Sequence, residues 1–119
     1  MHTGRKKTGG KYQINRKKKL YEKRGQARKT KLGEEKRKSK KVMGGGRKVF
    51  LLKVKSMNLR DGKKIIKSEI KNVLETPSNR FFARQNILTK GTIVETSHGK
   101  AKITNRPTQE GVVNGILLK

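Results

Sequence analysis

Val49-Phe50-Leu51-Leu52-Lys53-Val54-Lys55 marks the point at which this 119-residue chain changes character. Apolar and charged positions alternate, with Phe50, Leu52 and Val54 on one face and Lys53 and Lys55 on the other, the pattern of a half-buried strand. Asp61-Gly62 follows as a hairpin pair, because glycine accepts the positive backbone torsion that tight turns demand. Ile66, Ile70 and Leu74 then stand opposite Lys67, Glu69 and Lys71, so the two runs are expected to form one long hairpin.

Beyond it, Thr76-Pro77 should end the second strand, since proline lacks an N–H and turns its predecessor away from helix. Phe81, Phe82, Ile87 and Leu88, with Arg80, Arg84 and Lys90 between them, suit one helical turn or an ordered loop. Residues 92–96 and 100–104, joined across Ser97-His98-Gly99, read as a tighter hairpin in which Ala101 and Ile103 alternate with Lys100, Lys102 and Thr104. The terminal run, residues 112–118, has apolar residues on both faces, as in a strand covered on both sides that closes the sheet. The expected fold is all-β: a small, barrel-like, curled antiparallel sheet of five or six short strands, because closure hides edges that so small a sheet could not otherwise protect.

Charge and hydrophobicity divide at the same place. Residues 1–48 hold 20 Lys/Arg against 3 acids, a net +17, and residues 49–119 hold 14 against 5, a net +9. Apolar residues divide the other way, 9 before Val49 and 26 from it onward. Residues 49–119 should therefore supply the compact β domain and its core. Residues 1–48 should form an extended, basic, Gly-punctuated arm, with too little apolar surface to offset the entropy of ordering it. A helix over residues 14–24 would be weakened by like charges on neighbouring turns. A total of +26 demands a polyanionic partner, and the arm is expected to take its shape from that partner.

Several functions are excluded by what is missing. Without cysteine there are no disulfides and no thiolate chemistry, and a reducing compartment is allowed. The longest apolar run is four residues, 49–52, far short of a membrane span or a secretory signal. The two histidines, His2 and His98, have no companions at catalytic or metal-ligand spacing, so no catalytic residue, metal, cofactor or small-molecule substrate is assigned. Gly44-Gly45-Gly46-Arg47-Lys48 lacks the spacing of a phosphate-cradling loop and reads as a hinge before the first strand. The aromatic signature of sequence-reading RNA modules is also missing.

What remains is phosphate binding. The arm's candidates follow its basic runs: Arg5, Lys6, Lys7 and Lys11; Arg16, Lys17, Lys18, Lys19 and Arg24; Arg28, Lys29 and Lys31; Arg37, Lys38, Lys40 and Lys41; Arg47 and Lys48. Tyr12 and Tyr21 sit among them, able to stack on unpaired bases or to dock on the protein's own core. A solvated linker would have no use for Tyr12, Leu20, Tyr21 and Leu32, and a localisation signal needs one short basic cluster, not charge spread along the whole arm. On the body, Arg80, Arg84, Lys90 and Arg106 lie beside turn residues, from which a charged side chain reaches outward off a rigid base. A nonspecific DNA-compacting protein would use the same charge, though it would more often show a repeat or a dimeric surface, and neither a repeat nor a heptad is visible.

Ordered blocks resemble one family. Thr8-Gly9-Gly10-Lys11-Tyr12, Arg16-Lys17-Lys18-Lys19-Leu20-Tyr21-Glu22 and Thr30-Lys31-Leu32-Gly33 look like the basic N-terminal signature of the archaeal and eukaryotic small-subunit ribosomal protein eight of the e-type. Gly45-Gly46-Arg47-Lys48-Val49-Phe50-Leu51-Leu52 resembles the entry to that family's first strand. Glu75-Thr76-Pro77-Ser78-Asn79-Arg80, Asn86-Ile87-Leu88-Thr89-Lys90-Gly91 and Thr104-Asn105-Arg106-Pro107-Thr108-Gln109-Glu110-Gly111 resemble its later blocks in order and spacing. The family's Asn-Pro-Ala-Asn-Arg stands here as Thr76-Pro77-Ser78-Asn79-Arg80, and Thr108 replaces a glycine. The resemblance implies a compact β-rich body, no enzymatic activity and a structural role on small-subunit ribosomal RNA beside neighbouring ribosomal proteins, in the cytoplasm. It implies the shorter archaeal form, acting without homo-oligomerisation. A related ribosome-assembly factor family shares the C-terminal pattern but is longer.

Overall fold

The computed structural model describes residues 4–13 and 16–118. Turn chemistry fixes its central hairpin. Ser56–Asp61 (β4) and Lys64–Glu75 (β5) pair antiparallel around Asp61-Gly62, with Gly62 at φ 56°. Ile93–Thr96 (β7) and Gly99–Ile103 (β8) form the second hairpin across Ser97-His98, as the alternation predicts. Asn114–Leu117 (β9) pairs antiparallel with β8 and parallel with β4, closing a five-stranded barrel in the order β4-β5-β7-β8-β9.

A second sheet packs against the barrel. It comprises Thr30–Leu32 (β1), Lys36–Lys41 (β2), Arg47–Val54 (β3) and Ile87–Leu88 (β6), in the order β2-β3-β1-β6 with β1 and β3 parallel. Leu51, Val54 and Leu88 of this sheet meet Met57, Leu59, Ile70, Val73, Val94, Ala101, Ile103 and Val113 of the barrel in one hydrophobic cluster. Two single-turn helices complete the body: Arg80–Arg84 (α1), capped by the Asn79 side chain accepting from the Phe81 N–H, and Pro107–Glu110 (α2). The helical turn expected around Phe81 and Phe82 is α1.

Several local expectations are corrected. The partner of β5 is β4, not residues 49–55, because the chain bends at Lys55 and sends β3 into the other sheet. On β3, Leu51 is fully buried and Leu52 only partly so. Leu51 and Val54 join the core shared with the barrel, and Phe50 is covered instead by Arg28. On β5, Ile70 points inward and Ile66 remains exposed, and a bulge after Ile70 then shifts the alternation so that Val73 points inward while Leu74 is exposed. Residues 112–118 are not covered on both sides, since Ile116 and Leu118 are exposed.

Two strands precede Val49, so the chain is not an extended arm throughout residues 1–48. Thr30 is fully buried and its Oγ1 donates to the Leu51 carbonyl at 2.8 Å, while Leu32 packs on the core. The glycine triplet is no hinge: it reverses the chain between β2 and β3, the Val42 N–H donating to the Gly46 carbonyl at 2.8 Å. Every described residue from 4 to 29 is exposed. This segment raises the radius of gyration to 18.6 Å, against about 13.5 Å for a compact chain of this length. A helix over residues 14–24 is replaced by one 3₁₀ turn, Leu20–Glu22, in line with the like-charge argument. His2 and Ile14 lie outside the described residues.

Candidate nucleic-acid interface

The exposed segment is built of small, self-pinned turns. Arg5 and Lys11 form a β-bridge around a reversal at Thr8-Gly9, held by the Lys6 N–H to the Gly10 carbonyl and by Arg5 Nη1 to the Gly9 carbonyl, both 2.9 Å. Lys6 Nζ stands 5.8 Å from the Tyr12 ring, and Lys7 is exposed on the turn. In the next turn Arg16 grips Glu22 with two hydrogen bonds of 2.9 and 2.7 Å, and the Lys19 N–H donates to the same carboxylate at 2.9 Å. These contacts, Arg16 first, hold the Glu22 carboxyl below its ordinary value. Lys17, Lys18 and Arg24 are exposed, as are Leu20 and Tyr21. Neither Tyr12 nor Tyr21 docks on the core.

Arg28 and Lys29 join this segment to the body. The Arg28 guanidinium lies over the Phe50 ring at 3.8 Å and leaves that ring only 7% exposed; Lys29 Nζ lies 5.0 Å from the Phe82 ring. A stacked guanidinium still presents its N–H edge, so Arg28 covers the sheet and remains able to hold a phosphate.

A second concentration of charge lies on the β2–β3 hairpin, where all six residues of β2 are exposed. Its register sets Lys40 opposite Lys48, Lys41 opposite Arg47 and Lys38 opposite Phe50. Directly opposed residues share a face and successive residues alternate. Lys38, Lys40 and Lys48 therefore flank Phe50 and its Arg28 cover, while Lys41 and Arg47 occupy the other face. Arg37 is paired with Glu35, and Lys31 on β1 lies in register with Lys53. Among the described residues only three ion pairs occur, Arg16–Glu22, Arg37–Glu35 and Lys55–Glu69, so the cations at the tip of the hairpin have no carboxylate partner.

Two open grooves adjoin these surfaces. One runs between Gly25, Gln26, Ala27 and Arg28 of the arm, Lys40 of β2, and Thr108 and Gln109 of α2. The other is lined by Arg80, Phe81 and Arg84 of α1, with Arg80 5.2 Å from the half-exposed Phe81 ring. Lys90 is exposed in the turn after β6, and Arg106 caps α2, its N–H donating to Glu110 Oε1 at 3.4 Å. Of the sequence-predicted residues, the fold thus gathers Arg28, Lys38, Lys40 and Lys48 on one face and Arg80 with Arg84 in a groove. Arg5 to Arg24 it leaves on the outlying turns. Sequence reasoning missed Lys36, Lys53, Met43 and Phe81; the first completes a basic run already visible, and the others become apparent only through strand register or turn geometry.

His98 braces a turn. Its Nδ1 is 3.1 Å from Ser97 Oγ and 3.2 Å from buried Ser68 Oγ, and among the described residues no carboxylate contacts it. No group of three potential metal ligands is present among the described residues, and no helix there is long and apolar enough to cross a membrane.

Comparison of the sequence with known proteins matches the chain to a family. The model of the family described as ribosomal protein S8e matches residues 1–118. The small ribosomal subunit protein eS8 of Haloarcula marismortui is 43% identical over 115 residues, covering 97% of this chain and 94% of that protein. Its namesake in Nanoarchaeum equitans is 47% identical over 106 residues, 87% and 84% of the two chains. That of Methanosarcina barkeri is 42% identical over 117 residues, 97% and 94%. A cationic, barrel-bearing chain matched nearly end to end by this family and its archaeal members belongs to the ribosomal protein S8e family.

Proposed function

We propose that this chain is a structural constituent of the small ribosomal subunit in the cytoplasm, supporting translation by holding folded small-subunit ribosomal RNA through phosphate contacts. Residues 1–48 supply the RNA-binding arm, whose last strands β1 and β2 fold onto the compact β domain of residues 49–119, and the chain works in single copy beside other ribosomal proteins. The observation that carries this reading is the positive charge that runs from the exposed described residues between 4 and 29 onto both faces of the β2–β3 hairpin, met among the described residues there only by the Arg16–Glu22 and Arg37–Glu35 pairs. No chemistry is required: lysines and arginines neutralise phosphates and release counterions, and the barrel fixes where they stand.

Sedimenting cell extract through a gradient tests the assignment, and the chain should travel with the small subunit. Migration as free protein or with chromosomal DNA would refute it. With ten phosphate contacts, affinity for folded ribosomal RNA should fall with log salt at a slope of about −7 to −9. It should also exceed affinity for duplex DNA of equal charge; equal affinity would favour a DNA-compacting role.

A further inference from the structure

The β2–β3 hairpin tip combines three features that a merely soluble turn does not need. First, its two cation pairs point to opposite sides: Lys40 with Lys48 on one face, Lys41 with Arg47 on the other. Second, Gly44 and Gly45, at φ 81° and 78°, leave bare backbone at the apex, where an added Cβ would meet nothing within 4 Å. Third, the one large side chain at the apex is Met43, unbranched, apolar and fully exposed. The turn itself is pinned by the Val42 to Gly46 hydrogen bond, so the tip is a narrow, preformed wedge.

A flat phosphate surface would be met by cations on one side only. Cations on both sides, with nothing bulky between them, match a cleft whose two walls are both phosphate. Resting on the RNA-binding reading above, we propose that the β2–β3 tip inserts between two ribose-phosphate backbones of the ribosomal RNA. Lys40 and Lys48 contact one wall, Lys41 and Arg47 contact the other, and Met43 rests on the sugar or base surface at the bottom. A methionine suits that surface because it is polarisable and adapts to an irregular partner. Close cross-strand like charges repel in the free protein, and phosphate on each face removes that repulsion.

The absence of cysteine makes the test direct. Met43→Cys, carrying a tethered iron–EDTA probe, is assembled into small subunits beside the unlabelled wild-type chain, and hydroxyl-radical cleavage of the RNA is mapped. Cleavage of two separate RNA strands supports insertion. Cleavage of one strand, or of none in subunits that contain the labelled chain, overturns it and leaves the general reading intact. Failure of the wild-type chain to enter subunits would overturn the general reading instead. A second pair of variants needs no probe: Lys40→Gln with Lys48→Gln, and Lys41→Gln with Arg47→Gln. Each double variant should lower the salt slope of RNA binding by about 1.4 to 1.8. A silent pair would refute the two-walled geometry.

Discussion

Lys48→Glu should make the free protein more stable and its RNA complex weaker. Lys48 lies directly opposite Lys40 in the antiparallel register, which brings the Cβ atoms within about 4.5–5.5 Å. A like-charged cross-strand pair costs, and an opposite pair gains, roughly 0.2–1 kcal/mol each, so the reversal amounts to about 0.4–2 kcal/mol before solvent screening. Both side chains are exposed, so the lower half of that range applies, about 0.4–1 kcal/mol. For a domain of this size that corresponds to a rise in Tm of about 2–8 °C. Thermal unfolding by circular dichroism at low ionic strength would measure it, and the gain should shrink near 1 M salt, where the Debye length is about 3 Å. Lys102→Glu is the control: it alters net charge equally but lies opposite Ile93 and Ile116, so its gain should be smaller. RNA affinity should drop for Lys48→Glu, with a salt slope smaller by about 0.7–0.9 for the lost contact. If stability and affinity fall together, Lys48 serves the fold and the reasoning is wrong.

Other perturbations probe other parts of the molecule. The Glu22 carboxyl is held below the usual 4.5, by Arg16 first and the Lys19 N–H second, so the turn it closes should persist above pH 4.5 and open only as pH falls through the lowered value. A carbon-detected NMR titration should find that low midpoint, and Arg16→Gln should move it upward; an unmoved midpoint would remove Arg16 as the cause. Gly115→Ala should destabilise the barrel by about 1–3 kcal/mol. Its Cβ would sit 2.2 Å from Met57 Cε, which can move, and 2.9 Å from the Lys102 carbonyl oxygen, which cannot. A denaturant midpoint equal to that of the parent chain would contradict this geometry. For Arg28→Ala and Phe50→Leu, a double-mutant cycle should show a coupling of about 0.5–1 kcal/mol from guanidinium stacking, and additive losses would mean that the two do not interact.

The sequence disclosed what was local and hid what was not. Asp61-Gly62 and Ser97-His98-Gly99 announce their hairpins because turn chemistry resides in two or three adjacent residues. Leu74 was misplaced because a bulge adds a residue to one strand and flips every side chain after it, which leaves no trace in the order of hydrophobic residues. β2 was invisible for a stronger reason: Lys36-Arg37-Lys38-Ser39-Lys40-Lys41 has neither alternation nor strand propensity, and only backbone pairing to β3 makes it a strand. The candidate surface followed the same division. Basic runs were legible one by one, whereas the cover of Phe50 by Arg28 and the opposite facing of Lys40 and Lys41 depend on contacts that run length does not encode.

The edge position of β2 gives its charge an alternative explanation that must be weighed. β2 ends the order β2-β3-β1-β6, and an edge strand studded with lysine resists pairing with another chain whether or not RNA is present. That argument accounts for Lys36, Lys38 and Lys40. It does not account for Arg47 and Lys48 on β3, which is not an edge strand, nor for Met43 fully exposed at a glycine apex where a polar turn residue would serve solubility better. Edge protection and phosphate binding can share the same lysines, because the free protein needs the first and the assembled one the second. What separates the two is the tip, where protection asks for nothing and insertion asks for a thin backbone, an apolar end and charge on both sides.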